Sequence, residues 1–130
     1  MDRAGVLNVK NGRRVVLVVE DSFLIRLNAL DTIARTGYEA LEAQNADDAI
    51  LILEARQDID LVFTDVQMPG SMDGIELCQY VRILWPHVKL LVASGVFQLQ
   101  EQSLPSGCIF LSKPYSDRAI TNAITKLLGV

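Results

Sequence analysis

Four short apolar runs, each closing on a polar group, constrain this chain more than any other feature. Val15-Val16-Leu17-Val18-Val19 leads into Glu20 and Asp21, and Leu61-Val62-Phe63-Thr64 leads into Asp65. Lys89-Leu90-Leu91-Val92-Ala93 ends at Ser94, and Cys108-Ile109-Phe110-Leu111-Ser112 ends at Lys113. Runs of this length suit strands, and those at 15–19 and 61–64 are apolar on both faces, as strands covered on both sides must be. Helix-like segments alternate with them, which predicts an α/β domain with a parallel sheet. In such sheets ligands bind at the carboxyl ends of the strands, near the switch in strand order. An acid pair, an acid, a hydroxyl and an amine fall there.

The intervening segments carry helix signals. Ser22 can cap a helix in which Phe23, Leu27, Leu30 and Ala34 repeat at helical spacing, and Gly37 stops it. Tyr38 to Ala43 alternates like a half-exposed strand. Asn45 can cap a second helix with Ala49, Ile50 and Leu53 inward. The turn-rich loop Met68 to Gly74 precedes a third, with Leu77, Cys78, Val81 and Leu84 on one face and Pro86 barring its continuation. Phe97 to Leu104 allows only a short fourth helix before Pro105-Ser106-Gly107. Ser116 can cap the last, with Ile120, Ala123, Ile124 and Leu127 inward.

The 130 residues fit one domain, expected over 13–130 behind a loose leader at 1–12 that ends in Asn11-Gly12. Half of them are hydrophobic, enough for a core without disulfide or metal staples. The net charge of −4 argues against non-specific binding to nucleic acid or anionic lipid. The first residues lack the apolar centre of a signal peptide, and no apolar stretch reaches the roughly 18 residues that span a bilayer. A cytoplasmic protein, away from membranes, is expected. Cys78 and Cys108 read as small buried hydrophobes in a reducing compartment, and His87 as an exposed loop residue.

Three carboxylates in one crevice repel one another unless a cation sits among them, and oxygen-only ligands suit a hard ion such as Mg²⁺. Asp65 is then a candidate nucleophile, since carboxylates accept phosphoryl groups as acyl phosphates. The ion would neutralise one side of the phosphoryl oxygens, Lys113 another, and Ser94 would donate a hydrogen bond to a third.

The chain resembles response-regulator receiver domains of two-component signalling, in the CheY-like superfamily, over residues 14 to 128. The carrying motifs are Val-Val-Glu-Asp-Ser (18–22), Thr-Asp-Val-Gln-Met-Pro-Gly (64–70) with Met-Asp-Gly (72–74), Ala-Ser-Gly (93–95) and Ser-Lys-Pro-Tyr (112–115). The resemblance implies a doubly wound (βα)5 flavodoxin-like three-layer sandwich with strand order 2-1-3-4-5. It implies Asp65 as phosphoacceptor, with Mg²⁺ or Mn²⁺ held by Asp21 and Asp65, by Glu20 through water, and by the backbone carbonyl of Gln67. It implies Ser94 and Phe110 as switch residues, Lys113 as phosphate contact, and a cis Lys113-Pro114 bond. A histidine kinase or histidine phosphotransfer protein would supply the phosphoryl group. The output would pass to a protein target, or a homodimer, through the fourth helix, fifth strand and fifth helix. Such a domain assists its own phosphorylation and slow dephosphorylation without being a turnover enzyme.

The chain departs from the family pattern at several positions. Glu20 stands where Asp is commoner, Ser71 lengthens the loop after Asp65, and Phe110 stands where Tyr is frequent. Gln67 and Val96 occupy positions that modulate acyl-phosphate hydrolysis in relatives. With nothing resembling an output domain after the last helix, the chain is expected to be a stand-alone receiver or a module of a longer protein such as a hybrid histidine kinase. A pseudo-receiver that binds partners without phosphorylation is one alternative. An aspartyl phosphatase is another, disfavoured because Gln67 replaces the carboxylate expected two residues after the nucleophile.

Overall fold

A computed structural model describes residues 12–95 and 104–129. In order, its elements are β1 (Val15–Val19), α1 (Phe23–Arg35), β2 (Glu39–Ala43), α2 (Ala46–Ala55), β3 (Leu61–Asp65), α3 (Gly74–Leu84), β4 (Lys89–Ser94), β5 (Ile109–Ser112) and α4 (Asp117–Leu128). Residues 96–103, which include most of the expected short fourth helix and Val96, lie outside the described residues, as does the leader up to residue 11.

All five strands are parallel, in the order β2-β1-β3-β4-β5. Side chains of β1 alternate between two cores. Val15, Leu17 and Val19 join Val62, Leu90 and Val92 under α2 and α3, through Ala49, Leu53, Leu77, Cys78 and Val81. Val16 and Val18 join Leu61, Phe63, Leu91 and Ala93 under α1 and α4, through Ala29, Ile33, Ile120, Ala123 and Ile124. The alternation of a strand, combined with helices on both faces, yields the three-layer sandwich.

Local chemistry sets the helix starts. Ser22, Asn45 and Ser116 accept from the backbone N–H of Ile25, Asp48 and Ala119. Asp73, unforeseen as a cap, forms a reciprocal box with Glu76: Glu76 N donates to Asp73 and Asp73 N donates to Glu76, each at 2.9 Å.

The apolar repeat read along α1 is not its buried face. Ala29, Thr32 and Ile33 are buried, Leu30 is half-buried, and Phe23, Leu27 and Ala34 are exposed. The small Ala29 lets the helix approach the sheet and α4, while its first two turns overhang the strand ends. Leu84 is also exposed, because the chain turns away at Trp85 and Pro86. On α4 the core face ends with buried Leu128, and Leu127 is half-buried against the same core.

Candidate functional site

The strand order reverses between β1 and β3: the chain leaves β1 for β2 on one side, then returns to β3 on the other. Helices that depart on opposite faces open a crevice at the carboxyl ends of these two strands. Glu20 and Asp21 follow β1, and Asp65 closes β3. One carboxylate oxygen from each lies within 4.8 Å of the others.

The backbone beneath these acids is firmly tied. Glu20 N donates to Ala43 O at 3.0 Å, and Arg26 of α1 donates Nη1 to Glu20 O at 2.8 Å. The Glu20 carboxylate accepts from Ser22 N at 3.0 Å. Beyond Asp65, Val66 N donates to Ala93 O at 3.0 Å and Gly74 N to Val66 O at 2.8 Å. A Cβ at Gly74 would collide with the Asp65 carbonyl, so the Met-Asp-Gly motif needs glycine for close approach.

Lys113 reaches in from the end of β5. Its Nζ lies 3.1 Å from Asp65 Oδ1 and 3.5 Å from Glu20 Oε1. Lys113 N donates to Ser94 O at 2.9 Å, and the Lys113-Pro114 peptide is cis, as the resemblance implies. Ser94 is buried at the end of β4, one residue beyond Ala93, the register partner of Asp65. Gln67 is exposed on the following loop, where Ser71, the extra residue, donates to Asp47 of α2 at 2.6 Å. Phe110 lies opposite Val92 and packs on the α2–α3 side of the sheet.

Electrostatics records the crowding. Burial pushes the Asp65 carboxyl above its ordinary value and Asp21 adds to this, although Lys113 and the Val66 N–H pull the other way. Burial also raises Glu20, and repulsion from Asp65 and Asp21 adds to this, against the pull of the Ser22 N–H and Lys113. Tyr115 packs on Phe63 with ring centroids 5.7 Å apart. Its hydroxyl is pushed up to about 12, mainly by burial and further by Glu20 and Asp65.

All of the predicted acids, Ser94 and Lys113 thus reach one end of the sheet. Sequence reading passed over Arg26, which bonds Glu20 O and, at 2.8 Å through Nε, Glu42. Its only signal was a basic residue in the first turns of a helix following an acid pair.

A family model for the response regulator receiver domain matches residues 16–125. The chain belongs to the response regulator receiver domain family. Receivers act in phosphorylation-based two-component signalling. The chain is 34% identical over 114 residues to the response regulator protein FleR of Pseudomonas aeruginosa, covering 85% of this chain and 24% of FleR. It is 30% identical over 122 residues to chemotaxis protein CheY of Thermotoga maritima, covering 89% of this chain and 98% of that protein. The solved receiver domain of the hybrid histidine kinase CckA superposes with a TM-score of 0.75 at 30% identity, over 88% of this chain and 98% of that one. The receiver fold spans nearly all of CheY and about a quarter of FleR.

Proposed function

We propose that Asp65 is the phosphoacceptor of this receiver. The observation that carries the reading is the Lys113 ammonium, 3.1 Å from Asp65 and 3.5 Å from Glu20, in a cluster of three acids of which Glu20 and Asp65 are buried and Asp21 is exposed. An Asp65 carboxylate oxygen forms a bond to phosphorus as the phosphorus–nitrogen bond of a phosphohistidine breaks, and the imidazole leaves. Lys113 compensates charge on the phosphoryl oxygens, and the Ser94 hydroxyl donates to one of them.

The donor set fits Mg²⁺ or Mn²⁺. It is all oxygen, and three carboxylates share one lysine ammonium. Asp21 and Asp65, the Gln67 carbonyl, and Glu20 through water would hold the ion, which supplies charge neutralisation to the phosphoryl group.

A histidine kinase or histidine phosphotransfer protein must bring its phosphorus to Asp65 and therefore cover the rim. That rim is apolar: Phe23, Leu24, Ile25 and Leu27 of α1 are exposed, and Leu24 and Ile25 share an open depression with Pro114 and Tyr115. Phosphorylation draws Ser94 inward and Phe110 follows, altering the face that includes β5 and α4 for a protein target or a second copy. The receiver occupies 13–130 after a leader at 1–12 and acts by binding rather than turnover. No helix among the described residues is long and apolar enough to cross a membrane, in keeping with work in the cytoplasm.

Acetyl phosphate with Mg²⁺ should label the wild-type chain, and Asp65→Asn should abolish the label. A variant that still takes the label would place the nucleophile elsewhere. A wild-type chain that neither binds Mg²⁺ nor labels would favour the pseudo-receiver.

A further inference from the structure

We propose that Arg26 is a positioning residue for the ion site, acting through the peptide that joins Glu20 to Asp21. Its Nη1 donates to Glu20 O at 2.8 Å, and that carbonyl belongs to the peptide group whose other end is the Asp21 N–H. A peptide group is planar and rigid, so holding its oxygen sets the direction in which the chain leaves for Asp21. The role rests on the Mg²⁺ reading above, in which both acids serve the ion.

The guanidinium is itself firmly placed. Nε donates to Glu42 Oε1 of β2 at 2.8 Å, and the Phe23 ring centroid lies 5.7 Å from the central guanidinium carbon. The side chain is only 12% exposed, although its partner Glu42 is 58% exposed. A planar fork suits this place: one N–H reaches the neighbouring strand while another reaches the Glu20 carbonyl.

The other contacts of the turn stop at residue 20. Glu20 N donates to Ala43 O, which continues the pairing of β1 with β2, and the Glu20 carboxylate accepts from Ser22 N. Asp21 stands one residue further out, exposed and beyond the strand. Arg26 extends the order of β1 by one peptide. Rotation of that peptide would swing the Asp21 carboxylate out of the cluster in which one oxygen from each acid lies within 4.8 Å of the others.

Charge and positioning predict opposite signs. A fixed cation near the acids repels a divalent ion, so if Arg26 acted by its charge, removing it would tighten ion binding. If it aims the acids, removing it loosens binding, as loss of a group that orients metal ligands does.

The test is to titrate the full-length chain with Mn²⁺, following the free ion by electron paramagnetic resonance, and to compete the bound ion with Mg²⁺. Arg26→Ala should raise the Kd for Mn²⁺ by about tenfold or more. Arg35→Ala removes an exposed arginine of the same helix, paired with Asp31 at 3.0 Å and Asp117 at 3.7 Å, and should leave the Kd unchanged. Arg26→Lys keeps the charge but not the fork, and should recover only part of the affinity. Unchanged or tighter binding by Arg26→Ala would overturn the proposal. An equal loss in Arg35→Ala would also overturn it, by tracing the effect to a weakened helix. Full recovery in Arg26→Lys would overturn the part assigned to the fork and Glu42. A wild-type chain that binds no Mn²⁺ would instead remove the ion reading, and the role of Arg26 with it.

Discussion

The two ends of the sheet treat their charges in opposite ways. At the amino ends of the strands, Asp60 accepts from Val15 N at 2.7 Å and faces Arg14 at 3.5 Å, while Arg56 bridges Glu39 at 3.0 Å and Asp58 at 2.6 Å. Hydrogen bonds to Asp58 and Glu39 raise the Arg56 pKa, so the fold there favours the ionised form. At the carboxyl ends the shifts of Asp65 and Glu20 disfavour ionisation, with Lys113 shared between them. One end uses charge to close the fold. The other holds charge at a cost to stability, leaving it available for a ligand.

Four measurements would break or sharpen that contrast. The largest effect is expected from Lys113→Ala, which removes the cation nearest Asp65: labelling by acetyl phosphate should slow by about 100-fold. An unchanged rate would mean that this lysine is only a structural partner. Next, Mg²⁺ at about 100 times its Kd should stabilise the wild-type chain by about 2.7 kcal/mol, and Asp21→Asn should sharply reduce the gain. Equal stabilisation of both chains in thermal melts would move the ion elsewhere.

A smaller effect is expected from Asp65→Asn without divalent ions, a gain on the order of 1 kcal/mol near neutral pH. The sign follows from linkage. A carboxyl whose pKa is raised by folding binds protons more readily in the folded chain. Its advantage is complete below the ordinary value of 3.8 and is lost as pH rises through the raised one. The stability gap between variant and wild type should therefore widen from acid to neutral pH, and a constant gap in denaturant melts would contradict it. Smallest is Arg56→Ala at the opposite end. Its pairs are partly solvated, so the loss should be about 1 kcal/mol or less, with the Mg²⁺ response intact. A lost Mg²⁺ response would show that the two ends are coupled.

The fold was legible because the strand runs are apolar on both faces and end on chemistry-bearing residues. The acids, Ser94 and Lys113 converge for the same reason: parallel strands align their carboxyl ends. The buried face of α1 was not legible, because two apolar stripes compete on that helix. The conspicuous one, with Phe23 and Leu27, lies beside the site, whereas the modest Ala29, Thr32 and Ile33 meet the sheet. Asp73 was overlooked as a cap because it sits inside a loop full of turn formers.

The close seat of Gly74 against the Asp65 peptide has a mechanical consequence. Pinned by α3 on one side and by the hydrogen bond from Val66 to β4 on the other, the main chain around Asp65 behaves as an anvil. A chemical event on its side chain leaves that foundation in place. Under the proposed phosphorylation, the displacement would be carried instead toward Ser94 and β5.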